Sequence, residues 1–510
     1  MKKIQLFLIA LLVLGSCKNF DFGDINKDPI GPNEPSPKDM LAGGIMNFFN
    51  NSGRDYFTNP TFYVQWQTQN IYTSEMQYAD SPIDWNPWYV QVLSNFQANI
   101  EYIAANRESS VVRSMGYPDN QIAVNKIMKA YVFKFITDIY GDIPYSEALD
   151  PDNKTPKYDN QIDIYHGIIE ELKEARDMID ETKGGIEGDV VFNGDMAKWK
   201  KLANSLILHA ALQLSNVADQ ENYAKGEFSA VINNLASNGG VIEDVNDEAW
   251  IYYTHIDRRL QNPYSRLRRD DYFLSKEFTD ALQGENKVNS PVTSCSPSYN
   301  GTPDLREYIF SNSPGDDGRN YACSTDGGGA KMSELIWNPD APLPFFTAAW
   351  VYFDRAEAAV RGWTNEDYKT LLEEGIKASY KSLAAHYLPE YYSTFENYGA
   401  QFAAARVADA ENPNYGLAGG DAQKAKLEVI GEEKWVAYFP MGFEAWAQWR
   451  RIGYPALTPH PEPLNATGQI PRRYSYPMNE PTFNPQGYAS GVQDLTPAED
   501  RNDSRIPWDK

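Results

Sequence analysis

Residues 345–363, "FFTAAWVYFDRAEAAVRGW", and residues 366–387, "EDYKTLLEEGIKASYKSLAAHY", follow one another almost without a gap. Both carry apolar residues at three- and four-residue spacing, the mark of amphipathic helices. Their adjacency predicts an antiparallel pair with Ala and Tyr at the contact, similar to a degenerate tetratricopeptide unit. The same pattern recurs upstream. Ile164, Ile168, Leu172, Ala175 and Ile179 form one stripe, and Trp199, Leu202, Leu206, Ala210 and Leu214 form another. Residues 122–140 then pair with 161–181, and 197–216 with 222–237. Segment 38–106 adds a further pair around "FYVQWQTQNIY" (62–72) and "WYVQVLSNFQANIEYIAAN" (88–106). Long insertions between the pairs rule out a regular repeat array. The predicted fold class is mainly α, with helix pairs as scaffold and an irregular region carrying short strands.

Two stretches depart from helical periodicity. Between about 240 and 344 the chain is rich in Gly, Asn, Asp, Ser, Pro and Tyr, which favours ordered loops and short strands. Residues 388–510 are also expected to be loop-rich, apart from a late helix in which Phe443, Trp446, Trp449 and Ile452 repeat every third residue. Its Arg450 and Arg451 are expected to be ion-paired. No low-complexity linker divides the chain, so residues 38–510 are read as a single domain.

The N-terminus has its own logic. Lys2 and Lys3 precede an apolar run from Ile4 to Leu14, too short to span a bilayer, and then Gly15, Ser16 and Cys17. This is an export signal, residues 1–16, ending in a lipobox-like site at which Cys17 becomes the acylated N-terminus. Residues 17–37 are then a polar, Pro-rich tether. Asp24, Asn26 and Asp28 match the start of a calcium loop, but Pro29 stands where glycine is required, so they are read as turn formers. No metal or cofactor is expected.

The 510-residue chain carries a formal charge of −24, which becomes −26 once Lys2 and Lys3 leave with the signal. Such a chain repels nucleic acid, and that class of partner is excluded. With Cys17 acylated, Cys295 and Cys323 remain as an even pair; spacing leaves their pairing as a disulfide open.

No phosphate-binding loop, dinucleotide fingerprint, zinc-protease motif or nucleophile elbow occurs. The five histidines are scattered, and His166, His209 and His386 fall within helical patterns. The positive signal is aromatic: 33 Tyr, 23 Phe and 12 Trp, many of them in polar loops. Flat apolar rings with polar edges suit sugars, whose C–H faces are apolar and whose rims carry hydroxyls.

Three ordered motifs carry a resemblance. "DIYGDIPYSEAL" (138–149), "APLPFFTAAWVYFDRAEAAVRGW" (341–363) and "KWVAYFPMGFEAWAQWRRIGYPAL" (434–457) with "IPRRYSYP" (470–477) closely resemble the SusD/RagB-like outer-membrane lipoproteins. The spacing within these motifs is that of core packing, so they identify the fold and do not bind ligand. The resemblance implies a SusD-like fold with four tetratricopeptide-like helix pairs. It also implies a non-enzymatic, lipid-anchored, cell-surface protein that captures oligosaccharide and hands it to a SusC-like TonB-dependent barrel. A RagB-like peptide receptor of the same architecture is the alternative, and a lipid-anchored glycosidase a more distant one. The family holds its ligand residues in no fixed motif. By position, the expected ligand contacts are Trp85, Asn86 and Trp88 in the early aromatic loop and Arg268, Tyr299, Asp316 and Tyr321 in the mid-chain loops.

Overall fold

Side-chain caps start several of the helices. Asp195 accepts the backbone N–H groups of Ala197 and Lys198 at 3.1 and 3.2 Å. Asp367 and Asp421 do the same for the two residues following each helix start, and Asn160 accepts Ile162 N–H at 3.0 Å. Each cap satisfies donors that a helix leaves unpaired and is worth about 1 kcal/mol.

The computed structural model describes residues 35–51, 58–284, 302–321 and 328–509. From Pro37 onward they form one compact unit. Its principal helices, in order, are α1 (Pro37–Asn51), α2 (Ser94–Ala105), α3 (Pro118–Tyr140), α4 (Gln161–Met178), α5 (Met196–Gln213), α6 (Glu221–Asn233), α7 (Ala348–Val360), α8 (Tyr368–Tyr387), α9 (Tyr392–Ala410), α10 (Ala422–Ala437) and α11 (Gly442–Ile452). Four pairs pack side by side: α1 with α2, α3 with α4, α5 with α6 and α7 with α8. These are the expected tetratricopeptide-like pairs. In the last of them Gly375 lets α8 close on α7, since a Cβ there would stand 2.7 Å from the Phe353 ring.

The first pair differs in its members. Its outer helix is α1, and residues 62–72 instead form the end of a short helix, Asn59–Tyr63, and strand β1, Gln67–Gln69. Gln65 takes a left-handed backbone, φ 56°, which no L-residue sustains within a helix, and the chain turns out of it there. The opening of the 345–363 stretch also differs. Leu343–Phe346 is a strand that pairs antiparallel with Ala249–Ile251, and α7 starts only at Ala348.

The largest departure lies in residues 388–510, where α9, α10 and α11 make the stretch helical as far as Ile452. In α9, Phe395, Gly399, Phe402, Ala403 and Arg406 form a buried stripe at three- and four-residue spacing. The described residues of 240–344 are mostly irregular with short strands, as expected, apart from a two-turn helix, Lys276–Leu282. Helix α3 ends at Gly141, whose φ of 93° redirects the chain into Ile143–Pro144, paired antiparallel with Tyr158–Asp159.

A chain of buried charges ties five helices together. Lys134 of α3 meets Glu444 of α11 at 3.3 Å, and His209 of α5 meets Asp354 of α7 at 2.7 Å. Lys434 of α10 holds Asp354 at 2.8 Å and Glu357 at 2.7 Å, and Arg451 of α11 clasps Glu357 as well. Burial alone would lower the His209 pKa; the Asp354 carboxylate outweighs it, and the imidazole is pushed upward. Arg451 is thus ion-paired as expected. Arg450 is in no ion pair among the described residues: its guanidinium lies 4.0 Å from the Trp446 ring and 4.8 Å from the Trp508 ring. Burial pulls its pKa down to about 10.

Among the described residues no helix is long and apolar enough to cross a membrane.

Candidate functional site

A three-residue ladder gathers the polar loops. Strand β1 pairs antiparallel with Tyr272–Leu274, with Gln69 opposite Tyr272 and Gln67 opposite Leu274. Asn70 N–H continues the pairing to Asp271 O at 3.2 Å. At this end the chain emerges as Ile71 and Tyr72, 51% and 49% exposed in an otherwise polar stretch. The loop is braced from below, since Gln69 Nε2 donates to Tyr72 O at 2.9 Å and to Glu75 Oε2 at 2.6 Å. Arg268 enters from the partner strand's side, its side chain 75% exposed and its Nε 3.7 Å from Asp271 Oδ1.

The segment around 316–321 joins the other end of the same ladder. Arg319 N–H donates to Leu274 O at 2.9 Å, and Lys276 N–H donates to Arg319 O at 2.8 Å. Asp316 lies exposed beside it, its carbonyl accepting Gln283 Nε2 at 3.1 Å. Tyr321 then reaches back across: its hydroxyl is 3.5 Å from Met76 O, and its ring centroid is 6.3 Å from that of His460. Burial, and then the neighbouring Tyr78, push the Tyr321 phenol well above its ordinary pKa, so it stays protonated as a donor. The late loop is tied in by Leu464 N–H to Gln77 O at 2.6 Å, leaving the Leu464 side chain 57% exposed.

Arg268, Asp316 and Tyr321 are therefore brought to one short ladder, with Tyr72, Ile71 and Leu464 as neighbours that sequence reasoning missed. The signal for Tyr72 was present: an apolar pair, Ile71 and Tyr72, standing alone in "QTQNIYTSE" has no helical stripe to join. Along the ladder Ile71, Tyr72 and Leu464 are exposed together with Arg268 and Asp316, while the Tyr321 phenol is turned inward against Met76 and His460.

The early aromatic loop lies elsewhere, and two of its residues are corrected. Trp88 is 1% exposed, its ring packed at 5.7 Å on Phe48 and at 5.2 Å on Phe135. Trp85 is 3% exposed, ringed by Tyr140, Tyr158 and Tyr476 at 5.1, 5.6 and 5.8 Å. So little of either indole reaches solvent that both are core residues. Asn86 is exposed beside them. No contact joins these three to Arg268, Asp316 or Tyr321 among the described residues. Tyr299, Cys17, Cys295 and Cys323 lie outside the described residues.

The fold has counterparts in known proteins. A family model described as "Starch-binding associating with outer membrane", SusD-like, matches residues 30–477. No curated protein matches the sequence. Among solved structures, a chitin-binding protein is 24% identical, with a TM-score of 0.73 over 93% of this chain and 100% of that one. A SusD homolog from Bacteroides fragilis is 22% identical, with a TM-score of 0.69 over 94% and 100% of the two chains. A chitin-binding SusD homolog from Flavobacterium johnsoniae is 23% identical, with a TM-score of 0.67 over 92% and 98%. Similarity at this level establishes a shared fold, and the family match spans most of the sequence. The chain belongs to the SusD-like family.

Proposed function

We propose that the protein is a glycan-capturing lipoprotein of the outer membrane, fastened through Cys17 and exposed at the cell surface. It holds an oligosaccharide on the face around Tyr72, Arg268 and Tyr321 and passes it to a SusC-like TonB-dependent barrel. The observation that supports this reading is the ladder, which brings the exposed Ile71, Tyr72 and Arg268 to one end and the segment of Asp316 and Tyr321 to the other, from distant parts of the sequence. Rings take the C–H faces of sugars, and charged and phenolic groups take the hydroxyls. The family description and the two chitin-binding neighbours support carbohydrate as the ligand class. Net charge of −24 favours a neutral glycan over a polyanionic one.

The reading is tested by isothermal titration of the purified protein with chitohexaose, maltoheptaose and a neutral hexapeptide pool. Saturable heat with a sugar that is lost in Tyr72→Ala and Arg268→Ala supports it. Saturable heat with peptides alone replaces it with a peptide receptor, and release of new reducing ends replaces it with a hydrolase.

A further inference from the structure

A second concavity, of about 590 Å³, lies beside Trp85, between residues 85–90, 144–156 and 479–484. That volume falls within the range of small-molecule sites, about 300–1,000 Å³.

Its walls are built and held. The chain from Asn86 to Trp88 is a short helix with Pro87 in its first turn, and it runs directly into a π-helical turn, Tyr89–Leu93. Single π turns cost hydrogen-bond geometry and recur at functional sites. Here Ser94 Oγ donates to the Tyr89 carbonyl at 2.7 Å, and Tyr89 Oη donates to Pro144 O at 2.7 Å. On the opposite wall Asn484 Nδ2 donates to Pro156 O at 2.6 Å. Beneath, Tyr158 Oη donates to Glu480 Oε2 at 2.5 Å. Burial pushes the Glu480 carboxyl upward, and hydrogen bonds from Tyr158 and the Trp85 indole oppose it.

Two kinds of surface remain unused on this frame. Phe483 and Val90, both lining the groove, are 66% and 65% exposed, which leaves a flat ring and a branched aliphatic facing solvent. Asn86 and Asn479 line it too, and no protein group bonds their side-chain amides among the described residues. The cation in the lining, Lys154, is turned onto the Pro151 carbonyl. An apolar ledge and open amides beside the Glu480 carboxyl fit a neutral carbohydrate.

We infer that this groove is a second carbohydrate subsite, in which Phe483 and Val90 pack a sugar face and Asn86 and Asn479 bind its hydroxyls. The inference rests on the proposed glycan capture and adds a separate place of contact for a long neutral chain.

The test compares Phe483→Ala/Asn479→Ala with Tyr72→Ala/Arg268→Ala by titration with chitobiose, chitohexaose, maltose and maltoheptaose. Phe483, Tyr72 and Arg268 are exposed and Asn479 is half-buried, and circular dichroism melting checks that each variant is folded. The groove variant is expected to weaken binding of the long sugar about tenfold, near 1.4 kcal/mol, and to leave the disaccharide of that series unchanged. The face variant is expected to weaken both. A groove variant that binds the long sugar like wild type overturns the subsite while capture stands. Loss in the groove variant alone moves the whole ligand to the groove and overturns the face. No heat from any of the sugars with wild type overturns both.

Discussion

Arg451 of α11 and Glu357 of α7 form a two-pronged ion pair, both side chains fully buried, with Nη2 2.7 Å from Oε2. Lys434 and Arg361 hold the same carboxylate at 2.7 and 2.9 Å. Removing Glu357 would leave the buried Arg451 and the part-buried Arg361 without their carboxylate and Lys434 with Asp354 alone, so Glu357→Ala is expected to cost about 3–5 kcal/mol in urea unfolding. Adding Arg451→Met to it is expected to recover part of that loss, because one unpaired charge is then gone. Burial would raise the Glu357 pKa, but Arg451 and Lys434 hold it well below its ordinary value. Its contribution is therefore present at neutral pH and is lost as pH falls below about 4.5.

Glu248 responds to pH in the opposite sense. Its carboxyl is buried under Ser382 Oγ, Trp250 Nε1 and Ala348 N–H at 2.5, 2.9 and 2.9 Å, and burial pushes it up to about 7. A folded pKa above the unfolded one means the folded state holds the proton more tightly, and stability falls as pH rises from about 4.5 to 7. Glu248→Gln cannot ionise. Chemical denaturation at pH 5 and pH 8 is expected to show wild type losing stability relative to this variant at the higher pH.

Arg450 sits between two indoles and has no carboxylate partner within ion-pair distance among the described residues. Its Nη1 also donates to Arg472 O at 2.6 Å. A lysine keeps the charge but loses the flat guanidinium that packs on both rings. Arg450→Lys is expected to cost about 1–2 kcal/mol, read as a lowered urea midpoint at unchanged slope.

Trp88 tests the division between core and recognition surface. Trp88→Ala leaves a hole against Phe48 and Phe135 and is expected to cost about 3–5 kcal/mol in unfolding. Tyr72→Ala, at a half-exposed ring, is expected to leave the melting curve within experimental scatter while reducing glycan affinity.

Cys17 tests the anchor. Cells expressing the full chain are expected to incorporate labelled palmitate into the protein and to partition it into the detergent phase of a Triton X-114 extract. Cys17→Ala is expected to abolish both.

The helix pairs were readable because stripes such as Ile164 to Ile179 repeat for several turns, and tertiary packing needs that apolar face. Strand β1 was not, since three residues carry no period and its pairing partner lies some 200 positions away in "YFL". Trp88 misled because its neighbours are polar and include Pro87. Yet Trp88, Val92, Phe96, Asn99 and Ile103 stand four, four, three and four apart, and all five are buried. That stripe marks Trp88 as core. The ladder face escaped in part for the same reason as β1: Arg268, Tyr321 and Tyr72 meet only through non-local pairing.

The buried charge chain has an implication for how the molecule comes apart. In a regular helical-repeat protein, stability sums over units and their nearest neighbours, so units can be trimmed or melt one at a time. Here the acids and bases that neutralise one another are drawn from α3, α5, α7, α10 and α11. Detaching α7 would leave Arg451 without its carboxylate, and detaching α10 would take Lys434 from both Asp354 and Glu357. The scaffold looks like a string of interchangeable hairpins, yet its late helices are electrically tied to the earlier ones, and a fragment ending before α10 lacks Lys434 and Arg451, the two buried cations on Glu357.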